Sequence, residues 1–200
     1  MMVDSEARLR ILSDVGLATG TKLHACLEVD MAYRPLNLDS VHLGVRRSPL
    51  RTPEEARELI HAAKEYSGVI IDALMGYEGH IASINDATPG AGIKNAIYRA
   101  MKSASVRELT KRRDSVVDML RAEGVDFRLI NGGGSGSIVS TGKDPAVTEI
   151  TVGSGFYASG LFHHYKEVQF EPSAFFAIQI VRIPVEGMVT CLGGGYIASG

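Results

Sequence analysis

The chain has 200 residues, of which 45% are hydrophobic and 22% are charged, and its formal net charge is −2. These values are typical of a globular protein with one real core, and the slight negative charge gives no electrostatic footprint for nucleic acid or for a membrane surface. No apolar run approaches the roughly 20 residues that span a bilayer, and the first residues lack a secretory signal pattern, which predicts a cytoplasmic location.

The two cysteines, Cys26 and Cys191, both lie in apolar runs. We interpret them as small buried thiols rather than as a disulfide, since disulfides are rare in cytoplasmic proteins.

The first third of the chain alternates between helical and strand patterns. Apolar residues at helical spacing predict a helix from Val3 to Val15, and Leu23 to Asp30 has the pattern of a strand that ends in an acidic residue. The sequence Thr52-Pro53-Glu54-Glu55 is a strong helix start, and this helix is predicted to run to about Tyr66.

The next elements continue the alternation. The nearly continuous apolar run from Val69 to Met75 predicts a strand that is buried on both faces, as in a parallel sheet. A helix is predicted from about Ala96 to Arg121, and we interpret its charged side as a solvated face. The residues of that charged side are Lys102, Arg107, Glu108, Lys111 and Arg112.

Strands that alternate with helices indicate βα units and a parallel sheet. We therefore expect four strands to be parallel neighbours in barrel order. They are Leu23–Asp30, Val69–Met75, Phe127–Asn131 and Thr148–Thr151.

Two glycine-rich turns follow the last two of these strands. The first is Asn131–Ser137, and the second is Gly153-Ser154-Gly155. Glycine lets backbone N–H groups approach an anion closely, and many (β/α)8 barrels hold a phosphate at the turns after two consecutive strands. The alternative for the first turn alone is a flexible linker.

The alternation ends after Tyr157. Ala174–Val181 and Val189–Leu192 are β-like runs with no helix between them. We therefore predict one domain over residues 1–160 and the beginning of a β-rich domain over residues 161–200.

The assembled motifs resemble the fold-type III pyridoxal-phosphate enzymes, which include alanine racemase, D-threonine aldolase and D-serine dehydratase, and are most similar to amino acid deaminase/aldolase. The resemblance implies an α/β chain that forms the C-terminal half of a pyridoxal-phosphate-binding (β/α)8 barrel, followed by the start of a β-rich domain and truncated at both ends. The motifs are Leu27–Asp30, His42–Arg47, Gly76–Ala82, Asn131–Ser137, Thr148-Glu149 with Gly153–Tyr157, and Gly193–Gly200.

The resemblance implies pyridoxal 5'-phosphate as the cofactor, with its phosphate held by the two glycine turns. Tyr77 and Tyr157 would lie near the cofactor ring, or would simply pack at the barrel mouth. His80 is either a pocket group or a packed loop histidine, and the ring-side arginine of the family matches Arg34 or His42. The residues assigned to the phosphate are Gly134, Ser135, Gly136, Gly153 and Ser154.

Two departures from the family matter. Alanine racemases place an arginine where this chain has Thr151, and a neutral residue there argues against racemisation. The lysine that the family attaches to the cofactor follows the first barrel strand, and nothing here matches that unit, so that we assign no catalytic residue. We assign no metal ligand either, because the adjacent His163-His164 has a poor chelating spacing.

The resemblance thus implies that the chain is a piece of a lyase, either an aldolase or a deaminase. The full-length enzyme would act on a D- or 3-hydroxy amino acid and would form a homodimer. One alternative is a non-catalytic protein that keeps a phosphate site, and another is a barrel enzyme for sugar phosphates. Half a barrel also leaves open strand edges, which predicts that the chain alone aggregates or depends on partner chains.

Overall fold

The protein is described by a computed structural model over residues 1–35 and 40–194. Its main feature is a five-stranded sheet in the order β1-β2-β3-β4-β5, in which every neighbouring pair is parallel. The predicted parallel order of the four strands is therefore confirmed. The strands are β1 (Met2–Val3), β2 (Leu23–Glu28), β3 (Val69–Gly76), β4 (Leu129–Gly132) and β5 (Glu149–Ile150).

Helices connect the strands and cover one face of the sheet. Each of the three predicted helices is present, with ends displaced by a few residues from the predicted ones. The helices are α1 (Glu6–Thr19), α2 (Pro53–Ala63), α3 (Gly79–Ala82), α4 (Gly92–Ala122) and α5 (Ile138–Thr141). In the part of the chain that the structure describes, no helix is both long and apolar enough to cross a membrane.

The core lies between the sheet and these helices. Leu27, Leu74 and Ile130 are adjacent in register on β2, β3 and β4, and all three are buried in the same apolar cluster as residues of α1, α2 and α4. On β2 the alternate residues His24 and Cys26 point to the opposite face and are more exposed. The sheet therefore has one face that packs on helices and one more polar face.

The charged side of α4 differs from the prediction. Only 12% of the Lys102 side chain and 9% of the Arg112 side chain are exposed, whereas the apolar Ile97 of the same helix is 60% exposed. Lys102 pairs with Asp86, and Arg112 donates to the backbone oxygens of Asp30 and Ala32. The prediction of a solvated face was wrong at these two positions because each cation has a polar partner within the fold.

Both cysteines are free, and both are half-buried rather than fully buried as predicted. Cys26 lies on the polar face of β2, and burial raises the pKa of its thiol to about 11. The thiol is therefore protonated and weakly nucleophilic at neutral pH.

The C-terminal part forms an antiparallel hairpin of β6 (Gln179–Val185) and β7 (Met188–Leu192), as the β-like pattern predicted. Its side chains are almost all exposed. The boundary at residue 160 stays a prediction, since Phe162 and Tyr165 form a small cluster with Ile138 of α5. The last motif of the resemblance, Gly193–Gly200, lies mostly outside the described residues.

The start of α2 has the predicted cap. Thr52 Oγ1 accepts from the N–H of Glu55 at 3.2 Å, and the Glu55 carboxylate accepts from the N–H of Thr52 at 2.9 Å. We expect Thr52→Ala to lower the free energy of unfolding by about 1 kcal/mol. Ser5→Ala is the control, because Ser5 precedes α1 without a side-chain cap bond. Urea denaturation measures both, and an equal loss in the two variants would contradict the assignment.

Candidate phosphate and cofactor site

The two glycine turns meet at the carboxyl end of the sheet. Ser135 begins a short 3-10 turn after β4, and Ser154 begins another after β5. The N–H of Gly155 donates to Ser135 Oγ at 2.8 Å, and the Oγ atoms of Ser135 and Ser154 are 3.4 Å apart. The turns form one site because β4 and β5 are parallel neighbours.

Four backbone N–H groups of these turns are free to bind an anion. Within residues 1–35 and 40–194, no acceptor bonds the N–H groups of Ser135, Gly136, Gly153 or Ser154. Amide donors from two adjacent turns suit a phosphate, whose oxygens accept several hydrogen bonds. The residues present therefore fit the phosphate of pyridoxal 5'-phosphate.

Packing requires glycine at Gly136 and leaves little room for a side chain at Gly134. A Cβ on Gly136 would lie 2.2 Å from the backbone oxygen of Ala82, and one on Gly134 would lie 3.0 Å from both the Tyr77 ring and the Ala82 methyl. Around Gly153, by contrast, the space is open. The first turn is thus pressed against α3, and the second is not.

A buried ionic cluster supports the first turn from behind. Arg113 of α4 is fully buried and donates to the carboxylates of Glu78 and Asp144 and to the backbone oxygen of Gly76. The other oxygen of Glu78 accepts from the N–H of Gly133 at 2.6 Å. The cluster therefore links α4 to the beginning of the first glycine turn.

Sequence reasoning missed this cluster. The signal was present, since Arg113 stands at helical spacing in the apolar stripe of Leu109, Val116 and Leu120. A cation in an apolar stripe needs buried partners, and the sequence alone does not identify Glu78 and Asp144 as those partners.

Tyr77 directly follows the last residue of β3. The Arg47 guanidinium lies over its ring, 5.2 Å from the centroid, and pairs with Glu28 at 2.5 Å. The Tyr77 ring also lies against Gly134 of the first turn. Tyr77 therefore borders the glycine turn, and its contact with a cofactor stays a prediction.

The two candidates for the ring-side arginine position have different partners. Arg34 donates to the Asp30 carboxylate at 3.2 Å, and Arg51 donates to the same oxygen. His42 Nε2 lies 3.2 Å from the backbone oxygen of Val45. Arg34 thus belongs to a group of charges at the end of β2.

The position of Thr151 is neutral in the structure as well as in the sequence. Its hydroxyl lies within hydrogen-bond distance of both polar atoms of the Asn131 amide, at 2.8 and 3.1 Å, and the same amide donates to Glu149 at 2.8 Å. A hydroxyl cannot supply the positive charge that an arginine would place there.

His80 and Tyr157 lie in opposite environments. His80 is 5% exposed, and its Nε2 is hydrogen-bonded to Ser105 Oγ of α4. Tyr157 is 67% exposed. Their assignment to the cofactor stays a prediction, and the geometry of His80 favours the packed histidine. In the described part of the chain, no group of three or more His, Cys, Asp or Glu residues is arranged to hold a metal.

Burial lowers the pKa of His80 from 6.5 to about 4. As the pH falls, His80 is therefore protonated in the unfolded chain at a higher pH than in the folded chain. Stability from this group is complete above about pH 6.5 and is lost towards pH 4, by up to about 3 kcal/mol. We expect His80→Gln to flatten the pH dependence of the unfolding free energy in this range, whereas the exposed His163→Gln leaves it unchanged. Identical profiles for the two variants would contradict the assignment.

Comparisons with known proteins support the fold. Neither a family model nor a curated protein sequence matches the chain. Among solved structures, it is similar to D-threonine aldolase from Filomicrobium marinum, with a TM-score of 0.73 and 18% identity over 95% of this chain and 45% of that one.

Two further structures agree. D-threo-3-hydroxyaspartate dehydratase from Delftia sp. HT23 gives a TM-score of 0.51 and 17% identity, over 77% of this chain and 35% of that one. Alanine racemase from Clostridium difficile 630 gives a TM-score of 0.50 and 15% identity, over 95% of this chain and 45% of that one. At these identities the likeness establishes the fold. The resemblance predicted from the sequence is confirmed at that level, and the chain spans less than half of these structures.

Proposed function

We propose that this chain binds pyridoxal 5'-phosphate at its two glycine turns and belongs to the lyases that cleave or deaminate D- or 3-hydroxy amino acids. The observation that carries the proposal is the set of four unbonded amides at Ser135, Gly136, Gly153 and Ser154. The similar fold of a D-threonine aldolase and of a D-threo-3-hydroxyaspartate dehydratase supports the substrate class.

The chain's own residues divide the work. The four amides bind the phosphate and thereby fix the position of the cofactor, while Tyr77 borders its ring, supported by Arg47. Thr151 offers a neutral hydroxyl where a racemase has an arginine, which favours cleavage over racemisation. When bound, pyridoxal phosphate supplies the electron withdrawal that such a reaction needs.

A lysine in the right place is missing. None of the seven lysines directly follows the carboxyl end of one of the parallel strands β1–β5. In this family the lysine attaches the cofactor and moves the substrate proton. We therefore propose that this chain, as it stands here, binds the cofactor reversibly and does not turn over an amino acid.

Borohydride reduction in the presence of pyridoxal phosphate, followed by peptide mapping, tests this proposal beside an assay with D-threonine and D-serine. We expect saturable binding seen by absorbance, no lysine labelled stoichiometrically, and no turnover. Stoichiometric labelling of one lysine together with turnover would overturn the claim that the lysine is missing. An absence of saturable binding would overturn the cofactor assignment.

A further inference from the structure

A cavity of about 400 Å³ lies beside the first glycine turn. It opens between α4, the segment from Gly136 to Lys143, and the segment from Tyr165 to Val168. Its volume is in the range of small-molecule sites. Gly136 of the first glycine turn is one of its lining residues, whereas Ser135, Gly153 and Ser154 do not line it, so this cavity adjoins the proposed cofactor site without coinciding with it.

The cavity is strongly cationic although the chain as a whole is slightly anionic. Its only acidic lining residues are Asp86 and Glu167. The cationic residues that line it are Arg99, Lys102, Arg107, Lys143 and Lys166. A concave site with an excess of one sign of charge concentrates ligands of the opposite sign.

Some of these cations are already engaged. Lys102 pairs with Asp86 at 3.3 Å and lies 4.7 Å from the centroid of the Tyr165 ring. Within the described residues, the side chains of Lys143 and Lys166 have no hydrogen-bond or ion-pair partner. These two lysines belong to different segments that line the cavity.

The remaining lining residues suit the apolar part of an organic ligand. Ile81, Val106, Val139 and Val168 give the cavity an apolar part, and Ser103 and Ser140 add hydroxyls. A site that combines several cations with apolar side chains suits a small molecule that has both features.

We propose that this cavity binds a small organic anion that carries two or more negative charges, as phosphate or carboxylate groups. Such a ligand would contact both α4 and the segment that carries Gly136, and so would stabilise the position of the first glycine turn against α4. Tyr165 is part of the same wall, and its hydroxyl donates to the backbone oxygen of Ala82, which contacts Gly136.

Isothermal titration of the 200-residue chain with pyrophosphate and with citrate tests the proposal and distinguishes phosphate from carboxylate ligands. We expect one-to-one binding of at least one probe at low ionic strength. Lys143→Glu/Lys166→Glu should weaken it by about tenfold or more, since each reversal replaces an attraction by a repulsion. The matched control, Lys22→Glu/Lys111→Glu, has the same change of net charge outside the cavity and should retain the affinity of the parent chain.

Arg107→Gln, on the α4 wall, gives an independent second variant and is expected to weaken binding by a few fold, about the effect of one exposed charge. Circular dichroism of each variant verifies the fold. No binding of either probe by the parent chain, or equal affinities in the parent and the Lys143→Glu/Lys166→Glu variant, would overturn the proposal.

Discussion

Replacing Arg113 by methionine is expected to lower the free energy of unfolding by about 3–5 kcal/mol, a large part of the 5–15 kcal/mol that typically stabilises a domain. The arginine is fully buried and neutralises Glu78 and Asp144, which are buried as well. Methionine fills a similar volume but leaves two carboxylates without their cation. The penalty therefore comes from the stranded charges more than from the lost contacts.

Arg121→Met is the matched control on the same helix. The side chain of Arg121 is 57% exposed and, among the residues that the structure describes, pairs only with Asp118, at 3.9 Å, so its replacement should cost less than about 0.5 kcal/mol. Adding Glu78→Gln and Asp144→Asn to Arg113→Met should recover part of the loss, because the buried charges are then gone. Urea denaturation of the parent chain and of these three variants gives the free energies of unfolding. Similar losses for Arg113→Met and Arg121→Met would show that the cluster does not stabilise the fold.

The second large effect is expected for Gly136→Ala. Its Cβ would stand 2.2 Å from the backbone oxygen of Ala82, so that the turn or α3 must move. We expect a loss of about 1–3 kcal/mol in the free energy of unfolding, together with weaker binding of pyridoxal phosphate, since the Gly136 amide moves with the turn. Thermal denaturation and a cofactor titration measure the two effects.

Gly153→Ala separates packing from backbone flexibility. Gly153 belongs to the second turn, has a φ of −98°, and has open space where a Cβ would stand. Its replacement should change stability by about 0.5 kcal/mol or less and should preserve cofactor binding. If the two glycine variants behave alike, the close packing of the first turn against α3 is not what holds its amides in place.

The parallel sheet could be predicted from the sequence because each strand is marked locally. The apolar run of β3, the strong helix start at Thr52 and the glycines after β4 and β5 all carry signals within a few residues. The alternation of elements then fixes a parallel order, since consecutive βα units place their strands side by side.

The long-range polar contacts could not be predicted in the same way. The ion pairs of Arg113 join residues that are 31 and 35 positions apart, and the pair of Lys102 and Asp86 joins α4 to the segment that precedes it. Hydrophobic periodicity assigns a residue to one face of a helix but does not identify the hydrogen-bond or ion-pair partners that pack against that face. The solvated face of α4 was mispredicted at Lys102 and Arg112 for this reason.

The proposed binding of the cofactor at the two glycine turns is tested most directly by a ¹H–¹⁵N correlation spectrum of the chain, recorded with and without pyridoxal phosphate. We expect the largest shifts at the amides of Ser135, Gly136, Gly153 and Ser154, and we expect inorganic phosphate to shift the same four signals more weakly. Cofactor shifts that fall elsewhere and leave these four amides unchanged would contradict the proposed binding.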